Sequence, residues 1–173
     1  MSAGERRRPE DEMLKRRDTL ALAAALAIGL AAPNAAPALA ARGDDGVVTG
    51  KSGYGFDETI ARLKADIADK KIMFFGAIDQ AALASGVGIE LKPSTLLVFG
   101  NPPLGVQFLT ANPHAGLDWP VRLLVTQDAQ GQVWATYSDF GWIARRHGIM
   151  DRGAAFKKAS EVIASITASV APK

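Results

Sequence analysis

The chain has 173 residues, enough for one domain and a short extension, and its formal net charge is +2 at pH 7. It contains no cysteine, which excludes disulfides, thiolate metal sites, iron–sulfur clusters and cysteine nucleophiles. Beyond residue 40 the basic and acidic residues nearly balance, so electrostatics gives no support for a nucleic-acid partner.

The first forty residues are predicted to be an export signal. Arg16 and Arg17 precede an apolar run of mostly alanine and leucine at 20–32, and Ala38 and Ala40 form a small-residue cleavage signal. The apolar run is shorter than the roughly 20 residues that span a bilayer. We therefore expect cleavage after Ala40 and a soluble periplasmic product.

The paired arginines also predict which export machinery is the partner. Arg16 and Arg17 before a weakly apolar run are typical of the twin-arginine route, which carries folded proteins and permits a cofactor loaded beforehand. Met13 lies just upstream of the arginines, so translation can start there or at Met1.

Residues 41–46 are predicted to be a polar linker and residues 47–173 a single domain. The expected elements, in chain order, are a strand at 47–49, a helix capped by Asp57 and ending near 69, a strand at 72–75, a short helix at 78–84 capped by Asp79, a strand at 95–99, a helix at 103–112, strands at 120–126 and 132–137, a short helix capped by Asp139, and a final helix at 156–170. The strand at 95–99 is the most apolar and is expected inside the sheet. This order predicts an α+β fold with two layers, a mainly antiparallel sheet and helices packed on one face.

The segment GNPPLG, residues 100–105, has the glycine spacing of a phosphate-binding loop. Pro102 and Pro103 lack the amide hydrogens such a loop needs, and the lysine that should follow is absent. The segment instead predicts a rigid strand-to-helix turn, in which Gly100 can take a positive φ and Asn101 is extended. Such a turn can present Asn101 and the amides of 104–106 to a small ligand.

No catalytic or metal-binding constellation is recognisable. His114 and His147 are the two histidines, fewer than the three protein ligands typical of catalytic zinc, although Asp118 can join His114. His147 is interpreted as a helix C-terminal residue. Arg145 and Arg146 are interpreted as a solvated helix end, with an anion contact as the alternative.

Three segments, FDETIARLKADIADKKIMFFGAID (56–79), LKPSTLLVFGNPPLG (91–105) and LDWPVRLLVTQDAQGQVWATYSD (117–139), resemble the domain of unknown function 302 family, together with His147 and Gly148. This resemblance implies a small α+β fold that forms a homodimer, and it implies no established activity. Where the family commonly has histidine, this chain has Gln80, so a role of that histidine in metal binding or acid–base chemistry cannot operate here in the same form.

Two functional hypotheses follow. The favoured one is an exported homodimeric module that binds a small ligand or a partner protein without catalysis, with any cofactor unknown. The alternative is a periplasmic enzyme or redox accessory protein whose cofactor is loaded before export, with Asp79, Asn101, His114 and Tyr137 around one cleft.

Overall fold

The computed structural model describes residues 41–173. The predicted export signal, with Arg16, Arg17, Ala38 and Ala40, and both alternative starts lie outside these described residues. The elements are β1 (Ala41–Arg42), β2 (Val47–Lys51), α1 (Phe56–Asp69), β3 (Met73–Asp79), α2 (Gln80–Ser85), β4 (Ser94–Gly100), α3 (Pro102–Ala111), a 3-10 helix (Pro113–Leu117), β5 (Val121–Gln127), β6 (Val133–Ser138), α4 (Phe140–Arg146) and α5 (Gly153–Ala168).

The strands form one antiparallel sheet in the order β1-β2-β6-β5-β4-β3. One face of the sheet packs on α1, α3, α4 and α5, and the core residues of both layers form a single cluster. The fully buried members of this cluster include Leu97 of β4, Leu123 of β5, Leu63 of α1 and Ile166 of α5. The predicted two-layer α+β fold is confirmed.

The strand predicted at 95–99 lies inside the sheet, because β4 pairs with β3 on one side and with β5 on the other. The strand predicted at 72–75 begins one residue later and continues to Asp79, as β3. β3 stands at the edge of the sheet, and six of its seven residues are exposed. The apolar composition of β3 does not by itself indicate that this strand lies at the edge of the sheet.

Local signals at the helix ends are only partly as predicted. Asp79 and Asp139 accept hydrogen bonds from the first turns of α2 and α4, as N-cap residues do. Asp57, predicted as the cap of α1, lies inside its first turn, because the helix begins at Phe56 after Gly55. The predicted linker at 41–46 contributes β1, which pairs with β2 by backbone hydrogen bonds that need no apolar pattern.

Within residues 41–173, no helix combines the length and the apolarity that crossing a membrane requires.

Candidate functional site

The GNPPLG segment forms a closed strand-to-helix turn between β4 and α3. Asn101 has the extended conformation predicted for a residue before proline, and its Oδ1 accepts a hydrogen bond from the Leu104 amide at 3.3 Å. Its carbonyl oxygen also accepts from the amides of Leu104 and Gly105, at 3.1 and 2.8 Å. These two amides therefore bond to Asn101, and the contact of the turn with a small ligand stays a prediction.

The two glycines of the turn make room for the indole of Trp119. A Cβ atom on Gly105 would lie 1.8 Å from Trp119 Nε1, and one on Gly100 would lie 3.2 Å from the same atom. Gly100 does not adopt the positive φ that is open to a glycine. The GNPPLG segment thus provides the space in which the indole of Trp119 packs.

A small apolar cavity lies under this turn. Its volume is about 30 Å³, and Asn101, Leu104, Phe108 and Trp119 are among its lining residues. Pockets for organic ligands usually enclose roughly 300–1,000 Å³. This cavity therefore has room for about one water molecule.

A larger but open depression lies on the solvent side of Asn101. It has a volume of about 400 Å³, and its polar lining residues include Lys70, Asn101, Lys158 and Glu161. Asn101 therefore holds the turn together and also borders a concave surface.

The four predicted ligand-binding residues occupy separate places. Asp79 caps α2 and pairs with Thr95 at the start of β4, whereas Asn101 follows the end of β4, about 20 Å away. His114 is exposed in the 3-10 helix beyond the far end of α3, and Tyr137 is half-buried opposite Leu123. The four side chains do not surround one cleft.

Gln80, which replaces the usual family histidine, has a structural contact. Its Oε1 accepts a hydrogen bond from Ser94 Oγ at 2.6 Å, which ties the start of α2 to the start of β4.

A charged cluster that the sequence did not predict surrounds Asp118. The carboxylate is 3% exposed and lies 2.6 Å from His147 Nε2, whose side chain is 6% exposed. Arg122 Nη2 donates to Asp118 Oδ1 at 3.1 Å, and Arg146 Nη1 donates to both carboxylate oxygens at 3.2 and 3.1 Å. The sequence allowed Asp118 to join His114, but the carboxylate contacts His147, because α4 ends next to the segment that precedes β5.

The backbone around this cluster is also fixed by hydrogen bonds. Asn112 Nδ2 donates to the carbonyl oxygen of His147 at 2.9 Å, and Asn112 Oδ1 accepts from the His114 amide at 3.0 Å. The end of α4 is thus held against the start of the 3-10 helix. Among the described residues there is no group of three or more His, Cys, Asp or Glu side chains placed to hold a metal ion.

Another carboxylate organises the hairpin between β5 and β6. Trp134 Nε1 donates to Asp128 Oδ2 at 2.8 Å, and Asp128 Oδ1 accepts from the Gln130 and Gln132 amides at 3.0 and 2.9 Å. The hydrogen bond from Trp134 is the main cause that lowers the pKa of Asp128 below its ordinary value.

Exposed apolar side chains concentrate at one edge of the sheet. Of the twelve large apolar side chains exposed in the described part of the chain, eight lie between positions 73 and 91, on β3, on α2 and in the segment after it. We call these eight the edge surface: Met73, Phe74, Phe75, Ile78, Leu83, Val87, Ile89 and Leu91.

A family model described as "Domain of unknown function DUF302" matches residues 48–170. The chain belongs to this family. The resemblance predicted from its three segments is therefore confirmed.

A solved member supports the same fold for this DUF302 chain. The crystal structure of an uncharacterized conserved protein DUF302 from Bacillus stearothermophilus aligns with a TM-score of 0.66 and 17% identity, and covers 72% of this chain and 98% of that one. At this identity the likeness concerns the fold alone.

The chain also matches part of several longer curated proteins. It is 36% identical over 113 residues to the protein named fluoride-specific ion channel FluC 1 of Brucella suis biovar 1 (strain 1330), across 65% of this chain and 44% of that protein. It is 36% identical over 113 residues to fluoride-specific ion channel FluC 2 of Brucella melitensis biotype 1, across 42% of that protein. The chain thus spans less than half the length of these relatives.

Proposed function

We propose that this chain is an exported, non-catalytic module that acts by protein–protein contact and forms a homodimer through the edge surface. The observation that carries the proposal is the concentration of eight exposed large apolar side chains between positions 73 and 91. Monomeric proteins rarely expose apolar patches larger than a few hundred Å², and larger patches mark interaction sites.

The edge strand β3 supports a second copy as the occupant. Within residues 41–173 no strand pairs with its outer edge, and two copies of an antiparallel edge can pair by a two-fold rotation. Between positions 73 and 91 only Asp79 and Glu90 carry charge, so two such surfaces meet with little repulsion. A bulge between Phe74 and Gly76 interrupts the regular strand, so apolar burial is expected to supply most of the affinity.

The partial match to longer relatives also supports a contact role. A segment similar to this chain makes up 44% of a protein named a fluoride-specific ion channel. Domains joined in one chain contact each other through interfaces that resemble transient protein–protein interfaces, which fits a module that works through contacts.

The oligomeric state tests the proposal through Val87→Asp. Val87 is 73% exposed on the edge surface, and Met150, 88% exposed elsewhere, gives the matched control Met150→Asp. We expect the unmodified chain to sediment as a dimer. Val87→Asp should weaken the dimer by about a hundredfold or more, because each copy buries a charge at the contact.

Met150→Asp should leave the dimer unchanged. A monomeric unmodified chain at about 100 μM would contradict the homodimer, since a stable dimer has a far lower dissociation constant. A Val87→Asp protein that dimerises normally would place the contact elsewhere.

Export is proposed from the sequence pattern of residues 1–40. Replacing Arg16 and Arg17 together by lysine should keep the chain in the cytoplasm, because the twin-arginine machinery reads the guanidinium pair. The same replacement at Arg7 and Arg8 is the matched control and should leave export intact. N-terminal sequencing of the exported product should begin at residue 41, and a product that keeps residues 1–40 would contradict the cleavage.

A small ligand is a second candidate, favoured by the open depression of about 400 Å³ beside Asn101. Lys70, Lys158 and Glu161 give this depression charged groups of both signs. NMR titration with a panel of polar metabolites should then shift resonances around Asn101, and Asn101→Ala should abolish the shifts. Gln107→Ala, an exposed change on α3, is the control.

A further inference from the structure

We infer that Arg122 and Arg146 form a binding site for an oxyanion, a phosphate or a carboxylate group, and that buried Asp118 positions them. None of these three residues belongs to the edge surface or lines the depression beside Asn101, so the site is a proposal separate from both.

The carboxylate of Asp118 holds both guanidinium groups at a fixed spacing. Arg122 Nη2 and Arg146 Nη1 lie 3.1 and 3.2 Å from the same oxygen, Oδ1, so the two nitrogens are at most about 6 Å apart. Arg122 Nη2 also donates to the carbonyl oxygen of Leu117 at 2.7 Å. The guanidinium of Arg146 lies 5.3 Å from the centre of the Trp142 ring, which supports it from another side.

The cluster carries more positive than negative charge. Asp118 supplies one negative charge, and the two arginines supply two positive charges, even with His147 counted as neutral. The side chains of Arg122 and Arg146 are 49% and 43% exposed, whereas that of Asp118 is 3% exposed. The negative charge is therefore below the surface, and the surface presents the two cations.

Each arginine keeps donors for an additional partner. Among the described residues, the hydrogen bonds of Arg122 come from Nη2 and those of Arg146 from Nη1. A guanidinium has five N–H donors in a planar fork that matches the oxygens of a carboxylate or phosphate. Because Asp118 already restrains the two forks, an oxyanion binds them with less loss of side-chain freedom.

The sequence offered this contact at Arg146 as the less favoured alternative for the Arg145–Arg146 pair. The structure distinguishes the roles of the two arginines. Arg146 contacts the carboxylate of Asp118, whereas among the described residues Arg145 has no hydrogen bond or ion pair with it. Arg145 therefore provides a control with the same charge at the adjacent position.

NMR titration of the full chain tests the site through the arginine side-chain Nε–Hε resonances. Sodium phosphate or sodium acetate replaces sodium chloride at constant ionic strength, so that screening does not change. We expect the Nε–Hε resonances of Arg122 and Arg146 to shift and saturate, and those of Arg62 and Arg145 to stay in place. Saturation with phosphate identifies a phosphate-bearing ligand, and saturation with acetate alone identifies a carboxylate.

Lysine substitutions provide the second measurement. Arg122→Lys and Arg146→Lys keep a cation beside Asp118 but lose the planar fork, so each should weaken binding about tenfold, and Arg145→Lys should not change it. No selective shift up to about 50 mM of either anion would overturn the proposal, because even a weak site saturates there. Equal weakening by all three substitutions would also overturn it, since general surface charge would then explain the binding.

Discussion

Replacing Gly105 with alanine should destabilise the protein, although alanine is the better helix former. Gly105 lies buried in α3, and an alanine Cβ would lie 1.8 Å from Trp119 Nε1 and 2.2 Å from Trp119 Cε2. Alanine in place of glycine inside a helix contributes about 1 kcal/mol of stability, whereas overpacking costs about 1–3 kcal/mol and sometimes more. Because the Cβ would lie far inside contact distance of the indole, the overpacking cost should be at the upper end, about 3 kcal/mol, and we expect a net loss of about 2 kcal/mol in the free energy of unfolding.

Thermal unfolding followed by circular dichroism measures this change. A loss of about 2 kcal/mol corresponds to a fall in Tm of roughly 6–10 °C for a domain of this size. Gly116→Ala is the control, because a Cβ at Gly116 meets nothing within 4 Å. We expect it to change the stability by less than about 0.5 kcal/mol.

A double-mutant cycle with Trp119→Leu shows whether the indole is the cause. In the Trp119→Leu background, Gly105→Ala should be neutral or stabilising, so the two changes should couple by about 2 kcal/mol or more. A Gly105→Ala protein with an unchanged or higher Tm would refute the assignment of this glycine as space for the indole.

Three further outcomes can be measured by unfolding experiments. Gly46→Ala should lower the free energy of unfolding by about 2 kcal/mol or more in chemical denaturation, because Gly46 has φ +79° and a Cβ there would lie 2.2 Å from Trp142 Cγ. A change below about 0.5 kcal/mol would contradict this explanation. Asp118→Asn should cost about 1–2 kcal/mol in the same assay, since it weakens charge-assisted hydrogen bonds to two arginines that stay half exposed to water, and an unchanged midpoint would count against that role. Asp128→Asn should make the free energy of unfolding depend less on pH in the acid range. The pKa of Asp128 is lowered in the folded protein, so its ionised form stabilises the fold above pH 3.8. This contribution is lost as the pH falls through the lower pKa of the folded state. A mutant whose unfolding free energy falls as steeply as that of the unmodified chain below about pH 4 would show that the titration of Asp128 is not responsible.

The sequence predicted the secondary-structure elements and their order along the chain. The apolar spacing in α5 places Phe156, Ile163 and Ile166 on one buried face, because side chains three and four residues apart share a side of a helix. Asp79 and Asp139 were predicted as helix caps for an equally local reason, since a cap bonds to amides three residues ahead. The three family segments also come from the sequence alone, and with them the two-layer fold.

The tertiary structure decided which distant residues meet. Asp118 and His147 are 29 positions apart, and no spacing rule connects them; they meet because α4 packs beside the segment that leads into β5. In the same way Gly105 reads as a turn residue until the indole of Trp119 is seen against it. The position of β3 at the sheet edge was also decided by pairing, since an apolar strand can lie inside a sheet or at its edge with the same sequence pattern. Local patterns fix secondary structure because their interactions span a few residues, whereas the candidate sites of this protein depend on contacts that only the packed chain creates.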